Sequence, residues 1–179
     1  MPAFSAYAPG KSILFGEHAA VYARPALAIP VTQVSAHAIA SPRIGATQTL
    51  LSAPDIDLEE ELDRLPDDSP LALAVRLTLN AAGIARPPAM HLRITSTIPR
   101  AAGLGSSAAV SIALIRAVAG FLGLTLNAAR ISELAYAVEK LQHGNPSGVD
   151  NTVIAFARPI YFIKRSEERR VGKECRSRW

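Results

Sequence analysis

Three short segments carry polar residues of the kind that phosphate chemistry requires. The first is the small-residue loop Ala101-Ala102-Gly103-Leu104-Gly105-Ser106-Ser107, which follows an extended TSTIP run and opens an apolar stretch reaching Leu122. Its two glycines accept positive φ and let the backbone come close to a ligand. Ser106 suits the N-cap of the helix that follows. The free N–H groups of a first helical turn, at the positive end of the helix dipole, attract anions. The loop therefore reads as a phosphate cradle, although a loop ahead of a capped core helix has the same composition. The second segment is Gly10-Lys11, whose lysine can supply a mobile cation. The third runs from Glu139 through Gly144-Asn145-Pro146-Ser147-Gly148 to Asp150.

Phosphoryl transfer needs charge compensation, a metal and a group that activates the acceptor. Ser107 offers a hydroxyl and Glu139 a carboxylate to Mg²⁺, which takes one or two protein oxygens beside phosphate and water. Asp150, in a Gly/Pro-rich loop, is placed as a general base. Taken singly, Glu139 is a helix-surface residue and Asp150 a cap for a following helix. Together with the cradle they point to phosphoryl transfer.

The elements that position these residues follow from pattern. Residues 3–9 read as a first strand and Ser12-Ile13-Leu14-Phe15 as extended. Gly10-Lys11-Ser12 is not a P-loop: the required glycine five residues before Gly10 is Ser5, and no helix follows. Residues 31–38 alternate as a strand, with His37 facing solvent rather than a ligand, and Pro42 ends the run. Residues 41–70 are the least regular part. Their acidic run, PDIDLEEELDRLPDDSP, reads as a solvated face or loop without metal-ligand spacing. Ser69 and Pro70 start a helix at N-cap and N1, with Leu71, Val75, Leu79 and Ala82 on one side and Gly83 at its end. MHLRITSTIP, 90–99, is the strand that feeds the cradle. Asn127 caps another helix carrying Ile131, Leu134, Ala135, Val138 and Leu141 at helical spacing, closed by Gly144. PIYFI, 159–163, is a last short strand.

Composition narrows the classes. A chain of 179 residues that is 49% hydrophobic suits one ordinary domain with an aliphatic core. The most apolar long stretch, Ala19 to Ala40, carries Arg24, Pro25, Pro30, Gln33 and His37, too polar to span a membrane. The N-terminus lacks a secretory pattern. The single cysteine excludes an internal disulfide. The net charge of +4 is uneven: residues 165–179 hold six Lys/Arg against three Glu, which leaves 1–164 at +1. A near-neutral body argues against a nucleic-acid partner. The tail RSEERRVGKECRSRW has no periodicity and resembles the in-frame translation of a sequencing-library adapter. It is read as non-native and disordered, so that no function attaches to Cys175 or Trp179.

Three motifs in order, APGKSILFGEHAAVY, PRAAGLGSSAAVS and EKLQHGNPSGVDN, resemble the mevalonate kinases of the GHMP kinase superfamily. The first two motifs are shared across the superfamily; the third, with Glu139 eleven residues ahead of Asp150, is the specific one. The resemblance runs from residue 6 to about 163. It implies an α+β fold like ribosomal protein S5 domain 2, with 1–164 as the superfamily's N-terminal domain. Nothing in the chain resembles the GAGGGG motif of the superfamily's C-terminal domain, so that domain is expected to be absent and the chain to be a truncated fragment whose own activity is open. The implied reaction moves the γ-phosphoryl of ATP, with Mg²⁺, to the 5-hydroxyl of (R)-mevalonate in isoprenoid and sterol precursor synthesis.

By motif position, Asp150 matches the catalytic base and Lys11 the lysine that stabilises it. Ser107 and Glu139 match the metal ligands, and residues 101–107 the triphosphate loop. Glu17 and His18 match positions near the acceptor. A small-molecule substrate, no nucleic acid, no membrane, a homodimer for the full-length enzyme and a cytoplasmic setting, with the peroxisome left open, complete the expectations. Other GHMP kinases such as phosphomevalonate kinase or galactokinase, or a non-catalytic nucleotide-binding fragment, are the alternatives.

Overall fold

A long strand pair carries the first segment of the site. The computed structural model describes residues 2–17, 22 and 24–163. His18 and the tail at 165–179, with Cys175 and Trp179, lie outside the described residues. Strand β1, Phe4–Phe15, runs antiparallel to β2, Ala26–Pro42. The two extended runs expected on either side of Gly10 are thus one strand, broken by a register shift between Pro9 and Gly10. Proline has no N–H for the ladder, and such a bulge bends the strand and re-aims the next side chain. Here that side chain is Lys11, which turns inward and is buried.

Strand β2 presents Ala26, Ala28, Ala36, Ala38 and Ala40 to the core, all buried. Side chains this small let a helix lie close on the sheet. That helix is α2, Ser106–Phe121, which packs on β1, β2 and β5 and buries most of its circumference. An apolar run without strong amphipathicity suits such a central helix.

The sheet has the order β1-β2-β5-β3-β4, with β6 paired to the first residues of β2. Strand β5, Met90–Ser96, is antiparallel to β2 and leads into the cradle as expected. The region 41–70 departs from the expectation of irregular chain. It holds β3, Leu50–Ala53, and β4, Leu58–Glu61, joined by a single 3₁₀ turn at Pro54–Ile56. Four-residue strands are too short to show a period, and β3 is specified by its parallel pairing with β5. Strand β4 is the sheet edge, where Glu59–Glu61 keep the open ladder charged. Arg43 reaches Glu61 across it at 3.5 Å.

Helix α1, Pro70–Ala81, starts as the sequence predicts: the Ser69 side chain accepts from the Ala72 N–H and Pro70 is at N1. Helix α3, Ala128–His143, is capped by Asn127, which accepts from the Arg130 N–H. Its apolar stripe differs at the C-terminal end, where Leu141 is exposed and Glu139 is buried. Helix α4, Val149–Phe156, begins right after Gly148, which is left-handed at φ +86°. Asp150 is therefore in the first turn of a helix and not in a loop. Ser106 is likewise not the cap of α2: left-handed Gly105 holds that position and Ser106 is the first helical residue. Strand β6, Ile160–Phe162, matches the last strand expected. The outcome is the mixed α+β fold. Among the described residues no helix is long and apolar enough to cross a membrane.

Candidate active site

Lys11 joins the cradle to the carboxylate. Its N–H donates to the Leu104 carbonyl at 2.9 Å, tying β1 to the middle of the loop. Its side chain then runs beneath Gly105, where an added Cβ would stand 2.8 Å from Lys11 Cγ. The Nζ ends 2.9 Å from Asp150 Oδ1, with the two side chains 6% and 31% exposed. A nearly buried ammonium thus faces a carboxylate that solvent and ligand can reach.

The loop has an uncommon backbone. Ala101, Gly103 and Gly105 all have positive φ, at +57°, +70° and +70°. Alternation of left-handed and ordinary residues turns successive N–H groups toward one side, the arrangement of an anion-binding concavity. Residues 101–103 are exposed, and an added Cβ at Gly103 would meet nothing within 4 Å. The loop opens onto the first turn of α2, whose N–H groups have no intrahelical partners. These are the properties of a site for a polyphosphate.

Ser107, in that turn, donates to Glu139 Oε1 at 2.7 Å and also lies against Gln142 Oε1. Burial raises the Glu139 pKa above the ordinary 4.5; the Ser107 hydrogen bond and nearby His143 and Lys11 oppose the rise, and Asp150 adds to it. His143 Nε2 stands 3.7 Å from Glu139 Oε2. Among the described residues no three His, Cys, Asp or Glu side chains group as a metal cage. A hydroxyl beside one buried carboxylate suits a hard cation that takes its remaining ligands from phosphate and water. Ser107 and Glu139 therefore fit Mg²⁺ bound together with a nucleotide.

Helix α4 is locked in place from α3. Asn151 Nδ2 donates to the Ser132 carbonyl at 2.9 Å and to its hydroxyl at 2.8 Å. Thr152 donates to the Gly148 carbonyl at 2.6 Å. Asp150, directly ahead of these two residues in the same helical turn, has little freedom to turn away from Lys11.

The fold thus brings together Lys11, residues 101–107, Glu139 and Asp150. Glu17 is exposed in the turn after β1 and makes no ion pair or hydrogen bond to these residues among the described residues. Three contributors escaped the sequence reading. Gln142 and His143 follow Glu139 at i+3 and i+4 on α3, so the EKLQH spacing carried the signal. Asn151 gave none, because its partner Ser132 is nineteen positions away.

Comparison with known proteins agrees with this geometry. The family pattern described as the GHMP kinases N terminal domain matches residues 70–158. The chain is 36% identical over 174 residues to the mevalonate kinase of Thermococcus sibiricus, covering 91% of this chain and 52% of that protein. It is 36% identical over 171 residues to the mevalonate kinase of Pyrococcus furiosus, covering 89% of this chain and 51% of that one. Among solved structures, the Methanococcus jannaschii mevalonate kinase is similar at a TM-score of 0.80 and 27% identity, covering 89% of this chain and 53% of that one. The Lactococcus lactis galactokinase, at a TM-score of 0.76 and 19% identity, shares the fold. The chain spans about half the length of the relatives it matches. With the loop, the lysine and the two carboxylates already in one place, the chain belongs to the GHMP kinase family, of which it carries the N-terminal domain.

Proposed function

We propose that this domain serves an ATP-dependent kinase whose acceptor is the 5-hydroxyl of (R)-mevalonate. The observation that carries the reading is the Lys11–Asp150 pair at the mouth of the 101–107 loop, at 2.9 Å. The HGNPSGVDN segment and the mevalonate kinase relatives favour this acceptor over a sugar.

The division of labour follows from the side chains. The N–H groups of the loop and of the first turn of α2 hold the triphosphate. Asp150 accepts the acceptor's hydroxyl proton as its oxygen bonds to the γ-phosphorus and the bond to the β,γ-bridging oxygen breaks. Lys11 orients Asp150 and offsets the negative charge that gathers between carboxylate, acceptor and phosphate. Ser107 and Glu139 would hold Mg²⁺, which supplies neutralisation of charge on the phosphate oxygens. Burial of Lys11 on the protein side leaves its ammonium aimed at the reacting groups.

The test is turnover of Mg-ATP and (R)-mevalonate by the whole protein containing this chain. Asp150→Asn should lower kcat by about 10²–10⁴-fold, the usual worth of general acid–base catalysis. Near-normal turnover in that variant would remove Asp150 from the base role. Faster turnover of galactose or phosphomevalonate than of mevalonate by the unmodified protein would move the reading to a different GHMP kinase.

A further inference from the structure

One guanidinium joins three of the four elements that carry the site. Arg116 lies on α2, nine positions beyond Ser107. Its Nη1 donates to the Tyr7 carbonyl of β1 at 2.7 Å, and its Nη2 to the Ala155 carbonyl of α4 at 2.8 Å. Tyr7 is four positions before Lys11, and Ala155 is five positions after Asp150. Both acceptors are groups that the secondary structure leaves over. Among the described residues, strand β1 is at the end of the sheet and pairs only with β2, so its outward carbonyls have no ladder partner there. Ala155 is in the last turn of α4, where helix carbonyls have no intrahelical donor and a cation is favoured.

No carboxylate forms an ion pair with Arg116 among the described residues. Burial is the larger influence on its guanidinium and lowers its pKa from the ordinary arginine value. An arginine spends its charge in this way where two carbonyls need one rigid, planar donor. Lysine carries a single point of donation and cannot span both in the same geometry.

We propose that Arg116 is a positioning residue that sets the Lys11–Asp150 separation by fixing β1 and α4 to the same helix. The inference rests on the kinase reading given above, and it extends that reading to a residue outside the site. Lys11 is held to the loop by its own N–H, and Asp150 is held to α3 through its neighbour Asn151. Nothing else among the hydrogen bonds of the described residues ties β1 directly to α4 behind the pair except the Lys11–Asp150 contact itself. Without Arg116, no other hydrogen bond of the described residues on this side fixes β1 and α4 to α2, and their register would rest on that contact, on the anchoring of α4 to α3 and on apolar packing, which is not directional. Displacement of about 1 Å in such a constellation costs up to about 10²-fold in rate.

The test compares Arg116→Met and Arg116→Lys in the whole protein, with the surface change Arg130→Met as control. Arg116→Met should lower kcat about tenfold or more while KM for ATP changes little, because the triphosphate loop keeps its place. Arg116→Lys, which restores one donor, should recover part of the loss. A kcat within about twofold of wild type in Arg116→Met would overturn the proposal.

A second readout is independent of turnover. Zero-length carbodiimide cross-linking joins Lys11 to Asp150 through an amide only when the two side chains touch, and peptide mass spectrometry measures the yield. That yield should fall severalfold in Arg116→Met and stay unchanged in Arg130→Met. An unchanged yield in Arg116→Met would overturn the proposal whether or not the protein phosphorylates mevalonate. A normal cross-link in wild type with no phosphorylation of mevalonate would overturn the kinase reading instead, and loss of that cross-link in Arg116→Met would still support the positioning role. If Arg116→Met does not fold, Arg116→Lys decides: wild-type values on both readouts would overturn the proposal, and intermediate values would support it.

Discussion

Replacing Gly105 by alanine asks whether loop and lysine are one mechanical unit. The perturbation has two parts. Gly105 holds φ +70°, a conformation that costs an ordinary L-residue about 1–2 kcal/mol. The added Cβ would also stand 2.8 Å from Lys11 Cγ and 3.0 Å from Ile154 Cδ1. Lys11 has no easy escape, since its N–H is held by Leu104 and its Nζ by Asp150. Shifting Cγ forces χ angles off their wells, at about 0.5–1.5 kcal/mol. It also weakens an ion pair that is half open to solvent, adding up to about 1 kcal/mol.

Gly103 supplies the internal control. It has the same φ of +70°, but an alanine Cβ there would meet nothing within 4 Å. Gly103→Ala should therefore cost only the backbone part, about 1–2 kcal/mol, and Gly105→Ala about 2–4 kcal/mol. Urea unfolding of this chain and both variants measures the difference. In thermal unfolding, each kcal/mol should lower Tm by about 2–4 °C in a domain of this size. Equal losses in the two variants would show that Gly105 is needed for its backbone alone and that Lys11 is free to move.

Two other outcomes follow from the packing and the charges. Because burial raises the folded pKa of Glu139 above 4.5, the folded state holds that proton more tightly than the unfolded state does. Wild-type stability therefore falls as pH rises from 4.5 through the folded value, and Glu139→Gln removes that loss. Urea midpoints should show the Gln variant gaining on wild type as pH rises above 4.5; a gap that runs the other way would refute the burial argument. Gly120→Ala, ordinarily a gain of about 1 kcal/mol inside a helix, should instead destabilise. Its Cβ would run into the Phe4 ring. Adding Phe4→Ala should return most of the loss in a double-mutant cycle, and independent effects of the two changes would refute the contact.

Legibility followed the range of the interaction. Ser69, Pro70 and Asn127 announce helix starts because capping is settled within three residues, and the structure has both caps where the sequence has them. Glu139 misleads for the opposite reason. Its helix pattern marks it as surface and Leu141 as core, yet Ser107, thirty-two positions away, draws Glu139 inward. Strand β3 was illegible because four residues show no period and its partner β5 is forty positions further on. The sequence makes Asp150 look like a loop residue because its glycine- and proline-rich approach continues to Gly148, and the helix begins only one residue later.

The sequence by itself determined which groups are present for phosphoryl transfer: a glycine-rich loop ahead of a buried helix, one lysine, one hydroxyl and two carboxylates. It also determined where α1 and α3 begin, because capping is settled within three residues. Only the tertiary structure decided that Lys11 and Asp150 meet at 2.9 Å. That distance depends on a bulge at Pro9–Gly10, on a left-handed Gly105 with no side chain above the lysine, and on an arginine that binds β1 and α4 to one helix. The sequence shows Pro9, Gly105 and Arg116 but not what each of them meets. Those partners, β2 for the bulge, Lys11 for Gly105, Tyr7 and Ala155 for Arg116, lie far away in sequence and are met only once the sheet and its helices have packed.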